Sequence, residues 1–80
     1  MKFIKKIPND YCIAELYFFN NKFVIKFEIG TLEQIYKVSE LDVSGEEEIE
    51  EMLGETFLKK VMKRFEQMQE DFDEILDSAD

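Results

Sequence analysis

Carboxylates are the most numerous side chains in this sequence that could do chemistry, and many of them lie in two runs. The run EEEIEE covers residues 46–51, and the run EDFDEILD covers residues 70–77. Paired carboxylates can transfer protons or bind divalent cations. Neither run has the spacing and central glycine of a calcium-binding loop. We therefore interpret both runs as a solvated helix face and expect no metal site.

Other groups with catalytic potential are scarce. The sequence has no histidine, which is the commonest general base and metal ligand, and its one cysteine, Cys12, has no histidine to activate it. The three glycines are isolated, so they form no phosphate-binding loop. We expect a protein that is not an enzyme and needs no cofactor, with Cys12 buried in the core.

The expected compartment is the cytoplasm. A single cysteine excludes an internal disulfide framework and fits a reducing environment. No apolar run reaches the length that spans a membrane. The basic start MKFIKK is followed by IPND instead of the apolar stretch of a signal peptide.

Charge is distributed unevenly along the chain. The net charge is −9, and residues 1–39 carry six lysines and four acids while residues 40–80 carry fifteen acids and four bases. The first half therefore has a balance of +2 and the second half a balance of −11. Such a surface repels nucleic acid and anionic membranes and attracts basic protein surfaces.

The stretch LYFFNNKFVIKFEIG predicts a hairpin that turns at Asn20-Asn21, because asparagine tolerates the positive φ of a two-residue turn. The two residue numbers of each cross-strand pair then sum to 41. One face holds only apolar pairs: Phe18 with Phe23, Leu16 with Ile25, Ala14 with Phe27 and Cys12 with Ile29. The other face pairs Glu15 with Lys26 and Tyr17 with Val24. A one-residue slip would mix the two faces, so the register is well specified.

One or two further strands extend this hairpin into a three- to four-stranded antiparallel meander over residues 1–38. A turn at Gly30-Thr31 leads into a strand over residues 32–38, which sets Glu28 opposite Glu33, and Gln34 interrupts its apolar face. The segment over residues 2–7 is the candidate for a fourth strand at the edge of the sheet, and Pro8 would end it.

Residues 44–77 form the helical part of a single α+β domain over residues 1–80. Ser44 and Glu47 have the spacing of a capping box, and an apolar stripe at helical spacing follows. This stripe would pack on the apolar face of the sheet. Gly54 is a candidate break, giving helices over 45–53 and 55–77; otherwise the far end projects beyond the sheet. From Leu58 onward the stripe also fits a heptad seam, which could be core face or a dimer or partner seam.

The second sheet face mixes charged residues with aromatic and aliphatic ones, and Tyr11, Tyr17 and Phe19 are expected to lie on it along one strand. Exposed aromatic residues ringed by charge are typical of a binding patch. The alternative is a tyrosine-rich solvated face.

The function expected from these features is that of a small acidic binding protein that blocks a basic, nucleic-acid-binding site on another protein. By analogy of size and charge, examples are phage-encoded inhibitors of bacterial defence nucleases, including anti-CRISPR proteins, and toxin-neutralising immunity proteins. The alternative is an assembly subunit, as a homodimer, whose acidity aids solubility. No direct contact with nucleic acid or membrane is expected. The candidate partner-binding residues are Glu46, Glu47, Glu50, Glu51, Glu70, Asp71, Asp73, Glu74, Asp77, Tyr11, Tyr17 and Phe19.

Overall fold

The computed structural model describes residues 1–78, and within that range it shows an antiparallel sheet of four strands followed by two helices. The elements are β1 (Lys2–Lys6), β2 (Ile13–Phe19), β3 (Lys22–Ile29), β4 (Leu32–Ser39), a 3-10 turn (Glu40–Asp42), α1 (Glu46–Met52) and α2 (Glu55–Asp77). The strands lie in the order β1-β2-β3-β4, so each pairs with the next one along the chain. The predicted α+β meander with a long C-terminal helix is confirmed.

The β2–β3 hairpin has the predicted turn and register. Asn20 and Asn21 take φ values of 53° and 61°, as a type I′ turn requires. The ladder pairs Phe18 with Phe23, Leu16 with Ile25 and Ala14 with Phe27.

The predicted pair of Cys12 with Ile29 was wrong, because β2 begins one residue later, at Ile13. The Asn9 side chain explains this start. Its Oδ1 accepts hydrogen bonds from the backbone N–H groups of Tyr11 (2.8 Å) and Cys12 (3.0 Å). These two groups are thus held in a local turn, away from the ladder.

The β3–β4 hairpin also follows the predicted register, including the facing carboxylates of Glu28 and Glu33. Gly30 has a φ of 56°, which suits the first position of a type II′ turn. The Lys26 ammonium lies 3.9 Å from Glu33 Oε1 and 3.7 Å from Glu15 Oε1. This cation offsets the repulsion between the acids around it.

β1 forms the edge beside β2 and contains a bulge that the sequence analysis did not predict. Phe3 lies opposite Tyr17, but Lys5 lies opposite Leu16, so the register shifts between them. The shift turns Lys5 toward the side of the sheet that the helices cover. The predicted strand reached Ile7; in the structure Ile7 follows β1, is buried, and donates a backbone hydrogen bond to the Ala14 carbonyl at 2.8 Å.

The core lies between the inner sheet face and the two helices. Its most completely buried large side chains are Phe27, Leu16, Ile49 and Val61. The Phe57 ring of α2 contacts Phe27 and Tyr36, with ring centroids 6.1 and 5.6 Å apart.

Gln34, the predicted interruption of this face, is buried, and both the nitrogen and the oxygen of its side-chain amide are hydrogen-bonded. Its Nε2 donates to the Val61 carbonyl at 2.9 Å, and its Oε1 accepts from the Tyr36 hydroxyl at 2.9 Å. A polar side chain in the core therefore joins β4 to α2.

The helical part is broken at Gly54, which is the N-cap residue of α2. The predicted capping box was wrong, since Gly45 is the N-cap of α1 and makes no side-chain cap bond. Glu48 is then the third helical residue, and its carboxylate accepts a hydrogen bond from the Ser44 backbone N–H. Ser44 is thus paired with Glu48, one residue beyond the predicted Glu47.

The C-terminal part of α2 projects beyond the sheet. The Val61 carbonyl accepts a hydrogen bond from Gln34, and Phe65 lines a groove with Ile29 and Leu32. The helix α2 therefore passes over β4 toward the Gly30 turn and then leaves the sheet. Phe65 is buried, whereas Ile75 and Leu76 are 63% and 55% exposed. The molecule measures 48 × 26 × 19 Å. Neither helix within residues 1–78 is long and apolar enough to cross a membrane.

Candidate binding surfaces

The acids of α1 (Glu46, Glu47, Glu50 and Glu51) are partly neutralised by the chain itself. Lys5 Nζ lies 2.7 Å from Glu50 Oε2, and this hydrogen bond, with the nearby carboxylates of Glu46 and Glu47, raises the pKa of Lys5. The bulge in β1 brings the lysine to this side of the sheet. Glu46, Glu47 and Glu51 remain exposed.

The acids at the end of α2 (Glu70, Asp71, Asp73, Glu74 and Asp77) are all exposed. Asp73 Oδ1 accepts a hydrogen bond from Gln69 Nε2 at 2.8 Å, within the same helix. Basic residues are absent from the part of α2 between Phe65 and Asp77. Two of these acids, Glu74 and Asp77, lie in the last turn, at the negative end of the helix dipole, where anionic side chains destabilise a helix.

An apolar stripe runs between these acids. Phe72, Ile75 and Leu76 are 37%, 63% and 55% exposed, and they continue the line of Phe65 and the half-buried Met68 at helical spacing. The sheet ends before this stripe does. The projecting end of α2, residues 68–77, therefore presents an apolar stripe with carboxylates on both flanks.

The two acidic groups do not form one site. The α1 acids come before Glu55, the first residue of α2, and Glu70 is fifteen positions further along that helix, which is roughly 22 Å along the axis. The basic residues Lys59, Lys60, Lys63 and Arg64 lie between them. Lys59 Nζ is 3.5 Å from Glu55 Oε1.

The sequence predicted that Tyr11 lies on the second sheet face with Tyr17 and Phe19, but the structure places it elsewhere. It packs against the core, and its hydroxyl donates to Glu55 Oε1 at 2.9 Å. This bond raises the pKa of Tyr11 and, together with Lys59, lowers the pKa of Glu55. The Asn9 turn causes the difference, because it removes Tyr11 from the alternation of β2.

The outer sheet face is the side without helices. Polar side chains at its centre contact one another, and apolar side chains surround them. The Tyr17 hydroxyl donates to Glu15 Oε1 at 3.0 Å, and this bond raises the pKa of Tyr17. Lys26 Nζ lies 5.8 Å from the centre of the Tyr17 ring. Around this centre, four apolar side chains are about half exposed: Phe3 (48%), Ile13 (53%), Phe19 (56%) and Ile35 (53%). The sequence did not predict Phe3 on this face, because only the bulge in β1 determines which residues of that strand turn outward.

The described residues offer no arrangement for metal binding. Within residues 1–78, no three side chains among histidine, cysteine, aspartate and glutamate are placed to hold a metal ion. Cys12 is half-buried rather than fully buried, and its burial raises the pKa of the thiol.

Comparison with protein families, with curated proteins and with solved structures finds no match to this chain.

Proposed function

We propose that the protein is a non-enzymatic binding protein whose projecting end of α2 docks into a basic site on a partner protein. The observation that carries the proposal is the position of Phe72, Ile75 and Leu76, exposed beyond the sheet and flanked by the α2 acids. A helix that lays an apolar face into a groove is a common mode of protein recognition.

The two kinds of side chain would have separate effects on binding. Apolar anchors that become buried account for most of the affinity of an interface and slow its dissociation. Charges around them mainly raise the rate of association and select the partner. The fold itself gains nothing from acids at the negative end of the α2 dipole, which supports a role for them in binding.

The partner in this proposal is a protein whose basic site normally binds nucleic acid, and the carboxylates take the place of phosphates there. The proposed partners include bacterial defence nucleases and toxins. The protein would inhibit them as anti-CRISPR proteins inhibit defence nucleases and as immunity proteins neutralise toxins. Glu46, Glu47 and Glu51 of α1, which are also among the predicted binding acids, form a second, smaller acidic area outside this docking site. Tyr17 and Phe19 of the outer face would add contacts only if the partner reached round the sheet.

The test measures association and dissociation rates against ionic strength on the partner that an affinity pull-down from the native host returns. Substitution of Asp71, Asp73 and Glu74 by lysine should slow association and flatten its dependence on salt, with the difference shrinking as the Debye length falls below roughly 8 Å. Substitution of Ile75 and Leu76 by serine should instead speed dissociation.

The matched control changes Glu46, Glu47 and Glu51 to lysine, which alters the net charge by the same amount on α1. If this control slows association as much as the α2 triple variant does, the α2 end is not the docking site. Equal rates for wild type and α2 triple variant across the salt range would contradict the proposal altogether.

A structural or assembly role as a homodimer is the second candidate function. The observation that favours it is that β4 is an edge strand: it pairs with β3 on one edge and with no other strand of the described residues on the opposite edge.

A further inference from the structure

The two edges of the sheet differ in how they are protected against pairing. β1 is five residues long, has a bulge, and carries Lys2, Lys5 and Lys6. Short strands, bulges and lysines are the features by which sheet edges avoid pairing with other chains. β4 is eight residues long, pairs with β3 without a register shift, and has one lysine, Lys37. Of the two edges, β4 is therefore the one suited to accept another strand.

The backbone groups available on this edge can be assigned. The Glu40 backbone N–H, which follows β4, donates to the Asn21 carbonyl at 3.1 Å and so points toward β3. Backbone groups alternate in direction along a strand of an antiparallel ladder. The even-numbered residues of β4 thus bond to β3, while Glu33, Ile35 and Lys37 direct their N–H and C=O groups outward. Their side chains lie on the outer sheet face, where Ile35 is 53% exposed.

We propose that β4 pairs with β4 of a second copy of this chain, antiparallel and centred on Ile35. In this register Ile35 faces Ile35 of the second copy, and each Glu33 faces Lys37 of the other copy. Both carboxylate–ammonium pairs form at once because of the two-fold symmetry. Cross-strand pairs of opposite charge and of apolar residues stabilise a sheet.

The other registers that join outward-pointing groups are less favourable. A two-fold axis at position 33 places two glutamates opposite each other, and one at position 37 places two lysines opposite each other; like charges in this position destabilise the pairing. Axes at positions 34 and 36 place Ile35 opposite Glu33 and Lys37, respectively, so they form neither the two opposite-charge pairs nor the apolar pair. Centring on Ile35 also sets Leu32 opposite Val38 on the inner face, where both are half-buried in the single chain. The result is one continuous eight-stranded sheet with the helices of both copies on the same side.

The experiment is sedimentation equilibrium over a range of protein concentrations, at about 0.15 M ionic strength so that the repulsion between two acidic chains is screened. Wild type should dimerise. Lys37→Glu and Glu33→Lys should each weaken dimerisation by roughly tenfold or more, since each creates two like-charge pairs. The double variant Glu33→Lys with Lys37→Glu restores both opposite-charge pairs and should recover the wild-type dissociation constant.

Lys22→Glu is the matched control, because it makes the same charge change on the outer face of β3, away from the edge; it should leave dimerisation unchanged. Hydrogen exchange gives an independent readout: the amides of Ile35 and Lys37 should gain protection as concentration rises, while those of Gln34 and Tyr36 are protected throughout. A chain that stays monomeric up to millimolar concentration overturns the proposal. So does a dimer that neither single variant weakens, or single variants that the double variant fails to rescue.

Discussion

At the scale of single residues, Gln34 shows how a polar side chain is accommodated in a small core. Its amide donates to the Val61 carbonyl and accepts from the Tyr36 hydroxyl, so neither end is left without a partner. The Tyr36 hydroxyl also accepts from Arg64 Nη1 at 3.3 Å. Because a backbone carbonyl has a fixed place along its helix, the bond to Val61 also selects one position of α2 relative to β4.

Replacing Gln34 by alanine should lower the free energy of unfolding by about 2 kcal/mol, through the lost hydrogen bonds and the cavity left behind. Gln34→Leu should cost less, since leucine fills most of the volume and the Tyr36 hydroxyl keeps its bond to Arg64. Urea unfolding of both variants checks this. A larger loss for leucine than for alanine would show that the hydrogen bonds, and not the volume, dominate.

Cys12 should react slowly with thiol reagents in the folded protein. Burial raises the pKa of its thiol, so less thiolate is present at a given pH, and the pH midpoint of alkylation moves upward. We expect alkylation by iodoacetamide at pH 8 to be several-fold slower in buffer than in urea. Equal rates in the two solvents would show that the thiol is freely accessible in the folded chain.

At the scale of elements, Gly54 separates α1 from α2 without needing to be glycine. Its φ of −74° and ψ of 177° are open to any residue, and a Cβ there would meet only the Glu51 carbonyl oxygen, at 3.9 Å. As the N-cap of α2 it has no side chain to bond the free N–H groups of the first turn. The break therefore comes from backbone geometry, and a residue with a capping side chain at this position would stabilise α2.

Gly54→Ser should raise the free energy of unfolding by about 0.5–1 kcal/mol, because serine caps the helix and restricts the unfolded chain. The same substitution at Gly30 should lower it by about 1 kcal/mol, since the φ of 56° there disfavours a side chain. Thermal unfolding of the two variants beside wild type measures both signs. A destabilised Gly54→Ser protein would mean that the α1–α2 joint requires glycine.

At the scale of the whole molecule, α2 extends beyond the core. The inner face of the sheet is covered as far as Phe65, and the side chains of α2 beyond Met68 are exposed. The projecting end therefore adds length and charge to the molecule but little to its core.

A chain that ends after Gln69 should keep its free energy of unfolding within about 1 kcal/mol of wild type, because mostly exposed side chains are lost. A chain that ends after Arg64 also loses the buried Phe65, and we expect a further loss of about 3–5 kcal/mol. Urea unfolding of both shortened chains tests the boundary. A large loss in the longer one would show that the projecting end is part of the folded unit.

The fold was largely predictable because strand alternation is strict and local. The Asn20-Asn21 turn and the pairing of Leu16 with Ile25 follow from neighbouring residues in the sequence. The position of Tyr11 was not predictable in this way, since it depends on which backbone groups the Asn9 side chain binds. The partial neutralisation of the α1 acids was likewise hidden, because Lys5 reaches Glu50 only through a bulge in β1.

The order of the strands has a consequence for the time course of synthesis. Every strand of the meander pairs with its neighbour in sequence, so β1–β4 can assemble as soon as residues 1–39 have left the ribosome. The helix that covers them is completed only at Phe65, and the residues from 40 to 65 leave the ribosome after the strands do. During that interval the apolar inner face of the sheet is bare, and the nascent chain carries the +2 balance of its first half instead of the final −9. The newly made chain is therefore most prone to aggregation before its acidic half emerges.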